Sequence, residues 1–273
     1  MTLVKSTGNK KVNLDFNKEF INTFSEKIQS NDVQFVNQTL KDLHESDVAN
    51  LIENLSHDSR TKLIEIEAFN IDPDIFIELN ESIQSEVLHL LSSNSIINIL
   101  KRLESDDSIK ILENLEKNKK KLVLDKLPPK DKFLLEEGLS YPEDSAARIM
   151  QREFTAVPSN WSVGQTIDYV RENKDLPKEF LEIFIVDNDF KPIGTVPSSR
   201  VLRTPRESKM NSIMTEMPVL ISVNMDKEEV GHTFENYSLV SAGVVNKNNK
   251  LVGMITADAV SYTHLRAHET RGN

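Results

Sequence analysis

Leucine returns every twelve residues through the first half of the chain, a spacing too long for a helical turn and too short for most repeat modules. The series is Leu43, Leu55, Leu79, Leu91, Leu103, Leu115, Leu127 and Leu139, broken only at Glu67. Eight residues after each marker runs a second apolar track, Leu51, Leu63, Ile75, Val87, Ile99, Ile111, Val123 and Leu135. A third follows one residue later through Ile52, Ile64, Phe76, Leu88, Leu100, Leu112 and Leu124, and fails at Glu136. Cap and turn residues fill most of the intervals: Ser46, Ser56 and Asp58, Ser92 to Ser95, Ser105 and Asp106, Pro128-Pro129. About eight helical residues plus a polar linker account for the period, and a helix of about 12 Å cannot stand alone in water. The segment therefore predicts a stack of short helices with mostly nearest-neighbour contacts.

Before the repeat, Phe16, Phe20, Phe24 and Ile28 recur at i, i+4 and predict an amphipathic helix over 15–30. Its aromatic face either docks on the first repeats or receives a partner; core is the commoner use of four such residues.

Near residue 140 the pattern changes to short β-branched runs bounded by Asp, Asn and Gly. Leu181 to Val186 turns at Asp187-Asn188-Asp189 into Pro192 to Val196, and Ala242 to Val245 turns at Asn246 to Asn249 into Leu251 to Ile255, so each pair predicts a hairpin. Each hairpin is preceded by an Ile-Met pair (Ile149-Met150, Ile213-Met214), a short strand (Phe154 to Val157, Pro218 to Val223) and a helix (Val163 to Arg171, Lys227 to Tyr237). Trp161 is placed to pack at the turn into the first of these helices. Two copies of strand, helix, strand, strand, helix thus lie about 60 residues apart.

The chain is long enough for about two domains, with room for real cores. Its formal charge of -10 does not suit a phosphate-backbone footprint, so nucleic acid is not an expected partner. With no cysteine, disulfides and thiolate metal sites are excluded, which suits a cytosolic setting. The start has no signal-peptide stretch, and nowhere do about 18 consecutive apolar residues occur, so the chain as given reads as soluble. No P-loop or nucleophile elbow is present, and His44, His57, His89 and His232 are isolated, so the expectation is a protein that is not an enzyme.

The doubled βαββα pattern resembles a tandem pair of CBS domains, modules that often hold adenine nucleotides between copies. Its markers are the Ile-Met pairs and the hairpin ends Lys191-Pro192-Ile193-Gly194 and Leu251-Val252-Gly253-Met254-Ile255-Thr256-Ala257-Asp258, where glycine supplies backbone freedom to the second strand. A twelve-residue helical repeat leading through Tyr141-Pro142-Glu143-Asp144-Ser145-Ala146-Ala147-Arg148-Ile149-Met150 into such a pair is similar to the cytosolic part of the MgtE family of magnesium channels, over about residues 30–260. The fold class so implied is α plus α/β, a right-stacked short-helix solenoid followed by two CBS domains. The boundaries are a flexible tail at 1–14, the solenoid at 15–140, CBS domains at 141–208 and 209–260, and at 261–273 a stretch that resembles translated adapter sequence, with His264, His268 and Glu269 at the wrong spacing for a metalloprotease motif.

The resemblance implies a homodimeric Mg2+ sensor on the cytoplasmic face of the bacterial inner membrane, gating a transmembrane pore domain of the same full-length protein. Matched to the family's acid positions are Asp226 and Glu228 at the second CBS helix, Asp106 in the solenoid and, more weakly, Asp74. Without the family, these acids read as complements to helix N-termini. Lys110, Ser238 and Ala259 stand where further acids are usual, which implies fewer or weaker magnesium sites. Thr256 and Asp258 occupy the nucleotide position of many CBS domains, with Arg200 as phosphate partner in the first copy; ATP is the candidate ligand, and a helix cap the plain alternative. Two rival functions stay open, a free-standing CBS regulator responsive to adenine nucleotides and a helical scaffold resembling a flagellar motor switch component.

Overall fold

The structure, a computed structural model, describes residues 16–67, 72–177, 179–217 and 219–261. The expected tail at 1–14, the stretch expected at 261–273 apart from Ser261, Asp15 at the expected start of the first helix, and Pro218 at the expected start of a strand lie outside the described residues. Two compact units are formed, one from the residues up to Leu103 together with Asn114–Lys126, the other from Glu104–Glu113 together with the chain from Leu127 onward.

Among the described residues the first unit is all helical. Its helices are α1 (Lys18–Gln29), α2 (Val33–Lys41), α3 (Glu45–Asn54), α4 (His57–Glu67), α5 (Pro73–Glu78), α6 (Glu81–Leu90) and α7 (Ser93–Leu100); after α8 (Ser105–Glu113), which belongs to the other unit, comes α9 (Lys117–Lys126). The ladder is explained by helix ends. Leu55, Leu79 and Leu91 are C-caps in extended conformation, and Asn80 and Ser92, directly after two of them, accept the backbone N–H of Ile83 and Ser95 as N-caps of the next helix. Ten helical residues, one leucine and one cap complete the period of α6. The linker is therefore shorter than the sequence implies: Ser46 lies inside α3, capped by His44, and Ser105 and Asp106 lie inside α8.

Both apolar tracks face inward, from Leu51, Leu63 and Val87 to Phe76 and Leu88, all buried. The expected nearest-neighbour stacking is modified. Apart from α1 on α2, the principal contacts join α1 to α4 and then each helix to the next but one, α3 to α5, α4 to α6 and α7 to α9. On α1, Phe24 and Ile28 are fully buried and Phe16 and Phe20 continue the stack, at ring separations of 5.1 and 6.2 Å, so the aromatic face is core.

In the second unit α8 packs on α10 (Pro129–Ser140), where Gly138 admits Ile109. A short 3₁₀ turn, Ala146–Arg148, leads into two three-stranded sheets. The first copy is β1 (Ala156–Pro158), α11 (Val163–Glu172), β2 (Glu182–Val186), β3 (Pro192–Pro197) and α12 (Ser198–Arg203). After α13 (Met210–Ile213) the second has β4 (Ile221–Ser222), α14 (Lys227–Tyr237), β5 (Ser241–Val245) and β6 (Leu251–Thr256), and a helical turn follows from Ala257. In each sheet the first strand runs parallel to the second and the hairpin is antiparallel. The two turns share one device: Asp187 Oδ1 accepts the N–H of Asp189 and Lys191, Asn246 Oδ1 those of Asn248 and Lys250, and Phe190 and Asn249 take positive φ. Trp161 packs edge-on against Tyr169 at 5.3 Å, at the turn where it was expected.

Gly194 and Gly253 serve space rather than backbone freedom. A Cβ on Gly253 would lie 2.7 Å from Gln151 O, and one on Gly194 2.7 Å from Thr215 O, because bridges Gln151 to Met254 and Thr195 to Thr215 cross there.

Candidate functional site

At the start of α8 the helix donors are satisfied from a distant segment. Glu153 Oε2 accepts from Ser105 N (3.1 Å) and Ser105 Oγ (2.8 Å), and Arg152 N donates to Ser105 Oγ (2.8 Å) and to Glu153 Oε2 (3.1 Å). A carboxylate on a helix N-terminus meets both orphan N–H groups and the positive end of the dipole. Gln151, bridged to Met254 of β6, donates to Glu104 Oε2. Further along, Arg148 donates to Tyr141 O and Leu139 O and pairs with Glu113, while Arg152 pairs with Glu137 of α10 at 3.2 Å. The segment 148–153 thus fastens α8 and α10 to the paired sheets.

This clamp concentrates carboxylates. Asp106 is 3 % exposed and its Oδ1 has no hydrogen-bond partner. Burial, then the charge of Asp107, pushes its carboxyl up to about 8, against the pull of Lys110, whose Nζ lies 2.8 Å from Asp107 Oδ1. Glu104 is pushed up to about 7 by burial and by the charges of Glu153, Asp107 and Asp258, against the hydrogen bond from Gln151. An unpaired buried carboxylate among like charges is stable only protonated or beside a cation.

Asp226 is the exposed N-cap of α14, with Oδ1 accepting from Glu228 N at 2.8 Å, and Glu228 is exposed in the first turn. Beside them Lys227 pairs with Asp144. Asp74, in the helical unit, is exposed in the first turn of α5. Among the described residues no group of three or more His, Asp or Glu is arranged to hold a metal ion, so Asp106, Asp226 and Glu228 are not gathered into one.

At the nucleotide position, Thr256 Oγ1 is buried without a partner, as is Thr155 Oγ1 beside β1. Asp258 is exposed and electrostatically close to Glu104. Arg200 is engaged by Ile213 O at 2.7 Å and Thr215 Oγ1 at 3.0 Å. Sequence reasoning missed Gln151, Glu153 and Glu104. Gln151 follows the Ile-Met marker directly, and that adjacency was the only signal.

Comparison with known proteins places these features. The family model for the MgtE intracellular N domain matches residues 43–144, and that for the CBS domain matches residues 146–207 and 210–261. The magnesium transporter MgtE of Bacillus subtilis (strain 168) is 23% identical over 122 residues, 45% of this chain and 27% of the relative. That of Thermus thermophilus is 24% identical over 132 residues, 48% of this chain and 29% of the relative. The matched region therefore spans less than a third of these relatives. A crystal structure of the cytosolic domain of the Mg2+ channel MgtE in complex with ATP superposes with TM-score 0.79 at 22% identity, over 89% of this chain and 99% of that one. A crystal structure of the soluble part of a magnesium transporter gives 0.76 at 18% identity, over 92% and 98%.

Proposed function

The chain belongs to the MgtE family through its intracellular N domain and the two CBS domains behind it, and we propose that it is the magnesium-sensing cytosolic part of a magnesium transporter or channel. The observation that carries this reading is the buried carboxylate of Asp106, with one oxygen unpartnered, beside Glu104 and Asp107. Magnesium requires oxygen donors and retains several waters, so it needs only one or two carboxylates from the protein. Asp106 and Glu104 would hold it at the α8 clamp, and Asp226 and Glu228 at the start of α14. When bound, the ion supplies the positive charge that lets the clamp ionise.

The protein's own part follows from the clamp. Without a cation, burial and like charge favour the protonated forms of Asp106 and Glu104, and the start of α8 is fastened by Glu153 and Gln151. With a cation bound, Asp106 and Glu104 would be held ionised and the start of α8 made more rigid, which would favour a closed pore. That pore domain, in the same full-length protein at the bacterial inner membrane, and a homodimeric assembly, are parts of this proposal; among the described residues no helix is long and apolar enough to cross a membrane. Lys110 supplies a fixed cation beside Asp107 and Ala259 supplies no ligand, so fewer or weaker sites are expected than the usual acids would give.

Limited proteolysis tests the reading. Millimolar magnesium should protect the chain more than sodium at matched ionic strength, and Asp226→Asn, which keeps the cap, should reduce the protection. Cleavage that magnesium does not alter would remove the sensor function.

Adenine nucleotide binding is a second reading, favoured by the buried, unpartnered Thr256 hydroxyl. Thr256 and Asp258 would meet the ribose, with Arg200 released from Ile213 O to meet phosphate. Titration calorimetry with ATP should give heat that Thr256→Val abolishes; no heat from the parent chain discards this reading.

A further inference from the structure

In a chain of net charge -10, α9 carries five lysines (Lys117, Lys119, Lys120, Lys121, Lys126) against one aspartate, Asp125. Two of the five are used. Lys119 Nζ donates to Leu88 O and His89 O, the free carbonyls at the end of α6, and Lys126 Nζ donates to Asn94 Oδ1. Among the described residues, no hydrogen bond or ion pair engages the side chains of Lys117, Lys120 or Lys121.

Helix stability does not account for these three. The first turn of α9 holds no acid, so Lys117, Lys119 and Lys120 oppose the helix dipole. Lys117 also lies at i+3 and i+4 from Lys120 and Lys121, where like charges repel. Val123 and Leu124 supply the buried stripe, yet Leu122 is 56% exposed beside the lysines. An arrangement that opposes the dipole in the first turn, with an apolar side chain set outward among cations, suits an external anionic surface with an apolar layer behind it.

We propose that the outward face of α9 is a docking surface for an anionic lipid bilayer, with Lys117, Lys120 and Lys121 meeting headgroups and Leu122 entering the acyl boundary. Charge complementarity selects this occupant: α9 is strongly cationic in a chain that is acidic overall. The proposal does not depend on magnesium sensing.

Flotation of the full chain with phosphatidylcholine vesicles, with and without phosphatidylglycerol, tests it. Binding is expected only with phosphatidylglycerol, and it should weaken as salt is raised. The triple variant Lys117→Gln, Lys120→Gln, Lys121→Gln should lower the partition coefficient on the order of a hundredfold, at roughly fivefold per lysine. Leu122→Ser should lower it while leaving the salt dependence unchanged, with circular dichroism checking that both variants fold. The proposal is overturned by equal binding to neutral vesicles, by no binding, by a folded triple variant that binds as the parent does, or by tighter binding to duplex DNA than to the anionic vesicles.

Discussion

Met150 Sδ lies 2.8 Å from the point where a side chain on Gly253 would begin, and Met214 Sδ stands 3.0 Å from the same point on Gly194. Met150 opens the first CBS copy and Gly253 belongs to the second; Met214 and Gly194 reverse the relation. Each Ile-Met pair is therefore seated on the other copy's hairpin, and the two sequence markers are the two sides of one contact.

Replacing Gly253 should destabilise the second unit. A Cβ there meets the backbone oxygen of Gln151 at 2.7 Å, and a backbone carbonyl in a bridge cannot swing away as a side-chain tip can. Gly253→Ala should cost about 2 kcal/mol by overpacking. At Gly243 the nearest atoms are the side-chain ends of Met217, Leu251 and Phe184 at 3.0 to 3.2 Å, so Gly243→Ala should cost less. Denaturant midpoints in the opposite order would refute this account.

Arg60 holds two turns of the helical unit together. Its guanidinium pairs with both oxygens of Glu86 at 3.0 and 2.9 Å and donates to Ile52 O, Glu53 O and Leu55 O at the end of α3. The ion pair, led by the Arg60 hydrogen bond, holds the Glu86 carboxyl below the usual carboxylate range. Arg60→Ala strands those carbonyls and leaves the half-buried Glu86 carboxylate with His57 Nδ1 at 2.8 Å, and should cost about 2 kcal/mol. Urea unfolding should show that loss, and Arg60→Lys should recover only part of it, because a point ammonium cannot reproduce the fork.

The elements most legible in the sequence are those whose cause is local. The leucine ladder marks helix ends because Leu79 and Leu91 must turn the chain, and Asn80 and Ser92 beside them must cap the next helix. The hairpins were readable because Asp187 and Asn246 carry their own turn. What stayed hidden depends on distant partners. Nothing near Ser105 announces that Glu153, 48 residues on, supplies its cap, nor that Asp106, readable as a helix start, is buried. The candidate ligands Asp226 and Glu228 were readable as a helix start, and their local geometry is that of one.

Ser238 ends α14 at φ 49°, ψ 47°, the left-handed conformation that favours glycine. The residue is exposed. Ser238→Gly should therefore relieve backbone strain and stabilise the second unit by about 0.5 kcal/mol, after the greater entropy of glycine in the unfolded chain is offset. A lower thermal midpoint in the variant would contradict it.

The α8 clamp gives the second unit a dependence on pH whose sign is fixed by its raised carboxyls. Asp106 titrates near 3.8 when unfolded and at about 8 when folded, and Glu104 near 4.5 and at about 7, so folding takes up protons between these limits. Stability from this source is full below about pH 4 and is lost as pH rises toward 8. Asp106→Asn keeps the shape and cannot ionise, so its midpoint should match the parent's near pH 4 and exceed it near pH 8. Millimolar magnesium near pH 8 should restore part of the parent's loss and stabilise the variant less, because the part of the binding that needs the Asp106 carboxylate is lost while Asp226 and Glu228 remain. Parallel pH profiles for parent and variant would show that Asp106 does not carry the linked proton.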